Sequence, residues 1–376
     1  MQVIHIKIVS ILKKLSKFLL IGIISFVILE LVLPHWVKYN KLKIDLPTYN
    51  IQRITNYWAD ENVYFGTIHR PNTKYYQKKY CFDIEYQSND LGFRDVSHKQ
   101  SVISKRIAIL GDSFIEGVGV DVGNRMSNIL ENKTKIQFMN FGMAGNFGTT
   151  QAWKCYENVV SKFKHEIILI GILPANDFIE DDFQLGLDGM ANRYRPYLVG
   201  DYPNYKLQYY QTEIAMSKRK TYSNNYFKLF LKNFSNSYNL LAYYKSTRFY
   251  NSKIGFKSRD QIWGYFNYEQ KNLDRIRFAF EKIKEKANGK RIYVFTIPTL
   301  PDIVDLKSGK ENTLATDMAN LCQDLQIEYF DLLNATKDLS VSDCKLHYLE
   351  CDGHWSAEGH KFAAEVLNRE FNLTEL

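Results

Sequence analysis

Residues 106–114 read Arg-Ile-Ala-Ile-Leu-Gly-Asp-Ser-Phe, a short apolar run after a basic start that stops abruptly at glycine, aspartate and serine. Four further runs have the same form: 136–141 (Ile-Gln-Phe-Met-Asn-Phe), 166–173 (Glu-Ile-Ile-Leu-Ile-Gly-Ile-Leu), 291–297 (Arg-Ile-Tyr-Val-Phe-Thr-Ile) and 327–331 (Ile-Glu-Tyr-Phe-Asp). The third is almost wholly apolar, as a strand covered on both faces should be. Helical periodicity falls between the runs, around 126–132, 151–163, 267–287 and 311–325, and again after the last at 357–371. Strands alternating with helices predict an α/β fold with a parallel sheet, whose ligands sit beyond the carboxyl ends of the strands.

The rest of the 376 residues is consistent with a globular body. Hydrophobic residues make up 45% and charged ones 24%, with 8 prolines, which excludes a disordered, collagen-like or coiled-coil chain. Net charge is 49 − 41 = +8, and no basic run exceeds Lys218-Arg219-Lys220. By run length the excess is spread thinly, so no nucleic-acid partner is expected. Residues 40–104 form a polar, Tyr-rich extension with no long periodic segment. Between 191 and 270, 21 of 80 residues are aromatic, against 15% for the chain. The alternation stops there, which predicts an inserted helical subdomain at about 178–266 with a small core of its own. The same aromatics could also form a cap that shapes a substrate cleft.

The first 39 residues are a different material. Residues 18–33 read FLLIGIISFVILELVL, interrupted only by Glu30 and preceded by Lys7, Lys13, Lys14 and Lys17. The run is slightly short of a full span, and Ile8, Val9, Ile11 and Leu12 can extend it. No small-residue cleavage pattern follows, and Trp36 and Tyr39 stand where interfacial anchors would. The expectation is an uncleaved, single-pass signal anchor at 1–39. The body (40–376) would then lie outside the cytoplasm, on the periplasmic or extracellular face. The alternative is a buried N-terminal helix of a soluble protein. Five cysteines (81, 155, 322, 344, 351) form no C-x-x-C pair, so neither a zinc ribbon nor a thioredoxin-type site is expected. In an exported body Cys344 and Cys351 could close a short loop, and at least one cysteine stays without an intrachain partner.

The strand ends carry the chemistry. Ser113 stands at the first strand-to-helix turn, where the following helix N-terminus can supply backbone N–H donors. Asn140-Phe-Gly142-Met-Ala-Gly145-Asn146 follows the second strand and places glycines where a backbone can approach a ligand. Ala175-Asn176-Asp177 follows the third and offers an amide donor. Asp352-Gly353-His354-Trp355 precedes the last helix and can fold back onto the serine. A nucleophile, a base, an orienting carboxylate and two further donors are what acyl transfer requires. Competing patterns fail on spacing. Gly117-Val-Gly119-Val-Asp-Val-Gly123 has one residue too many for G-x-G-x-x-G, and His354 with His360 does not match H-E-x-x-H, so neither a nucleotide cofactor nor a metal is expected. His360 reads as a first-turn helix residue, and Ser88–Asp95 (SNDLGFRD) as a turn with a buried Phe93.

In this order and placement the blocks resemble the SGNH (GDSL-type) hydrolase superfamily, over roughly 105–180 and 290–370. The resemblance implies a flavodoxin-like three-layer sandwich in which Ser113 is the nucleophile, His354 the base and Asp352 its orienting partner. It also implies an oxyanion hole from the backbone N–H of Ser113 and Gly145 and the side chain of Asn176. Ser88–Asp95 is similar to a segment upstream of the serine block in membrane-tethered members. The chain departs from the pattern in three places. Pro174 replaces the glycine of the G-x-N-D block, Gly142 rivals Gly145 in the second block, and Cys351 occupies the aspartate position of D-x-x-H. The closer D-x-H-W spacing is similar to membrane-associated, alginate-type polysaccharide O-acetyltransferases.

The implied activity is a serine esterase acting on acyl esters, with O-acetyl groups of a cell-envelope glycan as the expected substrate. An O-acetyltransferase, a lysophospholipase or a non-catalytic glycan-binding protein are the competing readings. Expected partners are an acylated small molecule or glycan, and the membrane.

Overall fold

The computed structural model describes residues 2–375 apart from 56–57, 146, 185–193, 211–224 and 255–263, and leaves out the side chains of 2–11, 210 and 248–254. The basic run at 218–220 and much of the aromatic-rich insertion therefore lie outside the described residues.

All five apolar runs are strands of one parallel sheet. In chain order they are β5 (Arg106–Gly111), β6 (Gln137–Gly142), β7 (Ile167–Ile172), β10 (Arg291–Thr296) and β11 (Glu328–Asp331), ordered β11-β10-β7-β5-β6 across the sheet. Numbered within the sheet this is 2-1-3-4-5, the flavodoxin-like order. The central strands β5 and β7 are buried along their whole length, which is why their sequences do not alternate. Ile107 of β5 pairs with Ile167 on one side and Phe138 on the other.

The chain leaves β5 towards β6, then returns across β5 to β7. Crossovers of one hand that run in opposite directions must lie on opposite faces. Helix α3 (Met126–Thr134) thus covers one face, packed on the C-terminal helix α12 (Ala357–Glu370). Helix α4 (Thr149–Asn158) covers the other, packed on α8 (Gln270–Ala287). The topological reversal falls between β5 and β7, so the ends of these strands open the ligand crevice.

Two segments differ from their sequence reading. Residues 40–104 are not featureless, because they form two antiparallel hairpins, β1 (Ala59–Asn62) with β2 (Gly66–His69), and β3 (Lys74–Lys79) with β4 (Phe82–Gln87). The period-two signal was present in β4: Phe82, Ile84 and Tyr86 alternate with Asp83, Glu85 and Gln87. The described insertion is not purely helical either. It opens with a hairpin, β8 (Arg195–Val199) and β9 (Lys206–Tyr210), before helices α6 (Tyr226–Phe234) and α7 (Asn236–Ile254).

Helix α1 spans Gln2–Tyr39, and its stretch Leu12–Tyr39 is long and apolar enough to cross a membrane, with a mean hydropathy of 2.3 over an 18-residue window none of which is buried, whereas Leu33 and Val37 nearer the body are buried. Glu30, the lone charge in the apolar run, is held by the body. Its carboxylate accepts from the backbone N–H of Asn236 (2.6 Å) and Ser237 (3.0 Å) and from Ser235 Oγ (2.9 Å), capping the start of α7. An acid on a helix N-terminus satisfies donors that would otherwise be orphaned.

Candidate active site

Ser113 begins a four-residue helix, α2 (Ser113–Glu116), directly after β5. Asp112 caps it, its carboxylate accepting from Phe114 N at 2.9 Å. A helix this short has little dipole of its own, so what the turn supplies is the backbone N–H of Ser113. Burial pushes the Asp112 carboxyl up to about 6.

His354 meets Ser113 from across the chain, its Nε2 lying 2.8 Å from Ser113 Oγ. Its Nδ1 contacts Asp352 Oδ1. The D-x-H spacing works because Gly353, at φ 98°, turns the backbone so that both side chains face one way. Trp355 anchors the loop, edge-on to the Phe114 ring at 5.2 Å, and Leu349 N donates to His354 O at 2.7 Å. Asp352 does not cap the last helix; Ser356 does, accepting from Gly359 N. Asp343, another carboxylate in this part of the chain, bonds Ser340 at the start of its own short helix. Burial raises the Asp352 carboxyl, but the hydrogen bond and charge of His354, with those of Lys79, hold it well below the usual range.

The other predicted residues converge on the same place. Asn176 lies on α5 (Pro174–Glu180) after β7, its amide nitrogen 3.5 Å from Asp112 Oδ2. Pro174 stands at the first helical position, where it needs no N–H, so the missing glycine of that block is no loss. Asp177 turns away and accepts from Leu173 N at 3.0 Å, fixing the turn that aims Asn176 at the crevice. Gly145 lines the cleft at φ 106°. Its rival Gly142 has a packing role: a Cβ there would sit 2.4 Å from the backbone nitrogen of Glu116. Gly142 lets β6 approach the turn that carries Ser113, and Gly145 faces the cleft.

These groups share a cleft of about 630 Å³. Among the described residues, its aromatic wall does not come from the insertion, which the sequence had also allowed as a cap. Trp58, Tyr75, Tyr76 and Tyr86 supply it from the N-terminal extension, while described residues of the insertion contribute Leu229, Lys232 and Asn233. Trp58 stacks on His69 with ring centroids 3.5 Å apart.

Several supporting residues had escaped the sequence reading. His69 Nε2 lies 3.0 Å from Glu116 Oε2, both buried, and Glu116 also accepts from Ala144 N. Arg94, fully buried one residue after Phe93, donates to the carbonyls of Gly117 and Val120 and so clasps the turn behind Ser113. The SNDLGFRD segment is therefore both the expected turn over a buried Phe93 and a brace for the turn that carries Ser113. Lys79 donates to Asp352 Oδ2, and Cys81 is disulfide-bonded to Cys351. That bond answers the question the sequence left open, since Cys351 pairs with Cys81 and not with Cys344. Cys344 is a buried free thiol, while Cys81 at the hairpin tip, 270 residues from Cys351 in sequence, brings its Cα within 5.8 Å of that residue's.

No family model matches the chain, and no curated protein matches it in sequence. Similar solved structures include the lipase/acylhydrolase from Enterococcus faecalis, at 12% identity and a TM-score of 0.37, covering 71% of this chain and 95% of that one. Another is a member of the lipolytic protein G-D-S-L family from Veillonella parvula (11%, TM-score 0.37, 72% and 99%). A third is the lipase Lip_vut3 from a goat rumen metagenome (13%, TM-score 0.36, 71% and 97%). With overlap this low, the chemistry has to be argued from the side chains of the site itself.

Proposed function

We propose that this chain is a membrane-anchored serine esterase of the SGNH (GDSL-type) superfamily, acting through an acyl-Ser113 intermediate. The observation that carries the reading is His354, with one ring nitrogen on Ser113 Oγ at 2.8 Å and the other on the Asp352 carboxylate. Ser113 Oγ attacks the ester carbonyl as its proton passes to His354 Nε2, and Asp352 stabilises the imidazolium through Nδ1–H. The backbone N–H of Ser113 and Gly145 and the Asn176 amide receive the oxyanion. Collapse of the intermediate expels the alcohol, which takes the proton from His354. Water then adds to the acyl-serine with His354 again as base, releasing the carboxylic acid and restoring Ser113.

The substrate we propose is an O-acetylated glycan of the cell envelope. The aromatic wall offers flat faces for sugar rings, and Arg53, Gln77 and Lys78 beside it offer hydrogen-bonding groups for hydroxyls. The apolar α1 supports an anchor, and the Cys81–Cys351 bond supports a body in an oxidising compartment outside the cytoplasm. The D-x-H-W spacing favours one second reading, transfer of the acetyl group from Ser113 to a sugar hydroxyl in place of water.

The test is a fluorophosphonate probe followed by mapping of the modified residue. Labelling at Ser113, lost together with acyl-ester turnover in a folded Ser113→Ala variant, is expected. Failure of Ser113 to label, or undiminished turnover in that variant, would overturn the assignment. Running the ester assay with and without a glycan acceptor separates hydrolysis from transfer.

A further inference from the structure

Counted by segment rather than by run length, the charge of this protein is not spread thinly. Residues 214–259 contain 10 Lys and Arg and no Asp or Glu, so the remainder of the chain carries 8 − 10 = −2. Within that segment lie α6 and α7, and both present large apolar side chains to the outside. On α6, Leu229 and Asn233 face inward while Tyr226, Phe227 and Phe230 face out, with Phe227 68% exposed. On α7, Leu241 and Tyr244 stand one turn apart and outward, beside the exposed Lys245. Outward aromatics among lysines, with no acid, match the composition of helices that lie in a membrane interface.

The position of the segment relative to the anchor supplies the second, independent observation. The α6–α7 junction is clamped to Glu30, whose carboxylate and backbone carbonyl take hydrogen bonds from residues 235–237. Glu30 lies three residues before the end of the apolar run at Leu33, about 5 Å along the helix axis. The clamp therefore holds the junction at the outer edge of the apolar span. We propose that α6 and α7 form a foot resting in the headgroup layer of an anionic bilayer, with the exposed aromatic side chains inserted and Lys228 and Lys245 on lipid phosphates. The inference rests on the proposed anchor. It also deepens the proposed function, because Leu229, Lys232 and Asn233 on the inner side of α6 line the catalytic cleft. Thr48 Oγ1, nine residues past the end of α1, bonds Asn233 and ties that wall to the anchor. The cleft then stands at the membrane surface, and its substrate is an acyl ester presented there.

The test uses the full chain in lipid nanodiscs with a nitroxide at one introduced cysteine: Phe227→Cys or Leu241→Cys on the foot, Phe26→Cys on α1, or Ile103→Cys before β5, at the sheet end opposite the cleft. Collision with oxygen against a water-soluble nickel complex reports depth. The ratio at 227 and 241 is expected to favour oxygen several-fold over that at 103, and more so with phosphatidylglycerol than with phosphatidylcholine alone. A foot as accessible to nickel as residue 103, while residue 26 is lipid-exposed, would overturn the inference and leave the anchor standing. So would shielding of 227 and 241 from both reagents, which means a protein or a second copy covers the face. Indifference to lipid charge would overturn the anionic bilayer as the partner. Nickel access at residue 26 itself would sink the anchor, and the foot with it.

Discussion

Lys79 donates to Oδ2 of Asp352 while Oδ1 of the same carboxylate faces His354, so the carboxylate is held from both sides. The lysine comes from the tip of the β3–β4 hairpin, not from the α/β body that carries the serine. The carboxylate is buried, and one ligand fewer would leave it with an unsatisfied oxygen.

Lys79→Met should therefore lower kcat by about 10- to 100-fold, the equivalent of a hydrogen bond to a charged group of about 1.5–3 kcal/mol. KM should change little, because Lys79 is not part of the cleft wall. Lys79→Arg should recover part of the rate. Steady-state kinetics on the three proteins decides it, and equal kcat in wild type and Lys79→Met would show that His354 alone sets the carboxylate.

The disulfide pins the same hairpin to the residue before Asp352. Replacing both cysteines, Cys81→Ser with Cys351→Ser, avoids stray thiols and should cost about 2–4 kcal/mol of stability, since the bond closes a very long loop. Turnover at temperatures where the variant stays folded should fall as well, because Lys79 is no longer held in register. A variant with lowered Tm and unchanged kcat would mean that the bond serves folding only.

The sheet and its crossover helices were legible in the sequence because they rest on local signals, apolar runs that end in turn residues and helical periodicity between them. The meeting of Ser113 with Asp352 and with His354, 241 residues away, was implied by the resemblance in block order instead. The supports of the site were not legible. Lys79, Cys81, His69 and Arg94 act across large gaps in sequence, and nothing in Lys-Lys-Tyr-Cys at 78–81 points to a partner at 351–352. Whether Cys344 and Cys351 pair was left open for the same reason, since sequence proximity says little about which Cα atoms come within bonding range. Glu30 was visible only as an interruption of an apolar run, and its use became clear once the start of α7 was seen upon it.

Stability should depend on pH through His360. Burial, with the charges of Arg125 and Arg94, pulls this imidazole down to about 3, and its Nδ1 accepts from Met126 N. The folded protein therefore keeps it neutral, while the unfolded chain takes up a proton near 6.5. Its contribution is present above that value and is lost as pH falls towards 3, at up to about 1.4 kcal/mol per pH unit. His360→Asn can accept the same hydrogen bond but has no proton to gain. Thermal melts between pH 7 and 4.5 should show the wild type losing Tm faster than the variant. Parallel curves would place the acid sensitivity elsewhere.

Asp352→Asn tests the link between the site and its support most sharply. The variant keeps the size of the side chain but can offer an N–H towards Nδ1, which favours the wrong imidazole tautomer. In the Ser-His-Asp triad of serine proteases, the equivalent change costs about 10⁴-fold in turnover. A loss of that order is expected here, at every pH where the enzyme is folded. Stability should respond with a defined sign. The folded carboxyl is held below its ordinary 3.8, so the ionised form stabilises the fold above about pH 4, and that contribution fades as the pH falls below it. The Tm gap between wild type and Asp352→Asn should accordingly be widest near neutrality and close in acid. A helix-capping role would give a constant small gap with near-normal turnover, but Ser356 already occupies that position. Near-normal turnover would thus leave Ser113 and His354 working as a pair, with Lys79 and Asp352 reduced to a structural brace.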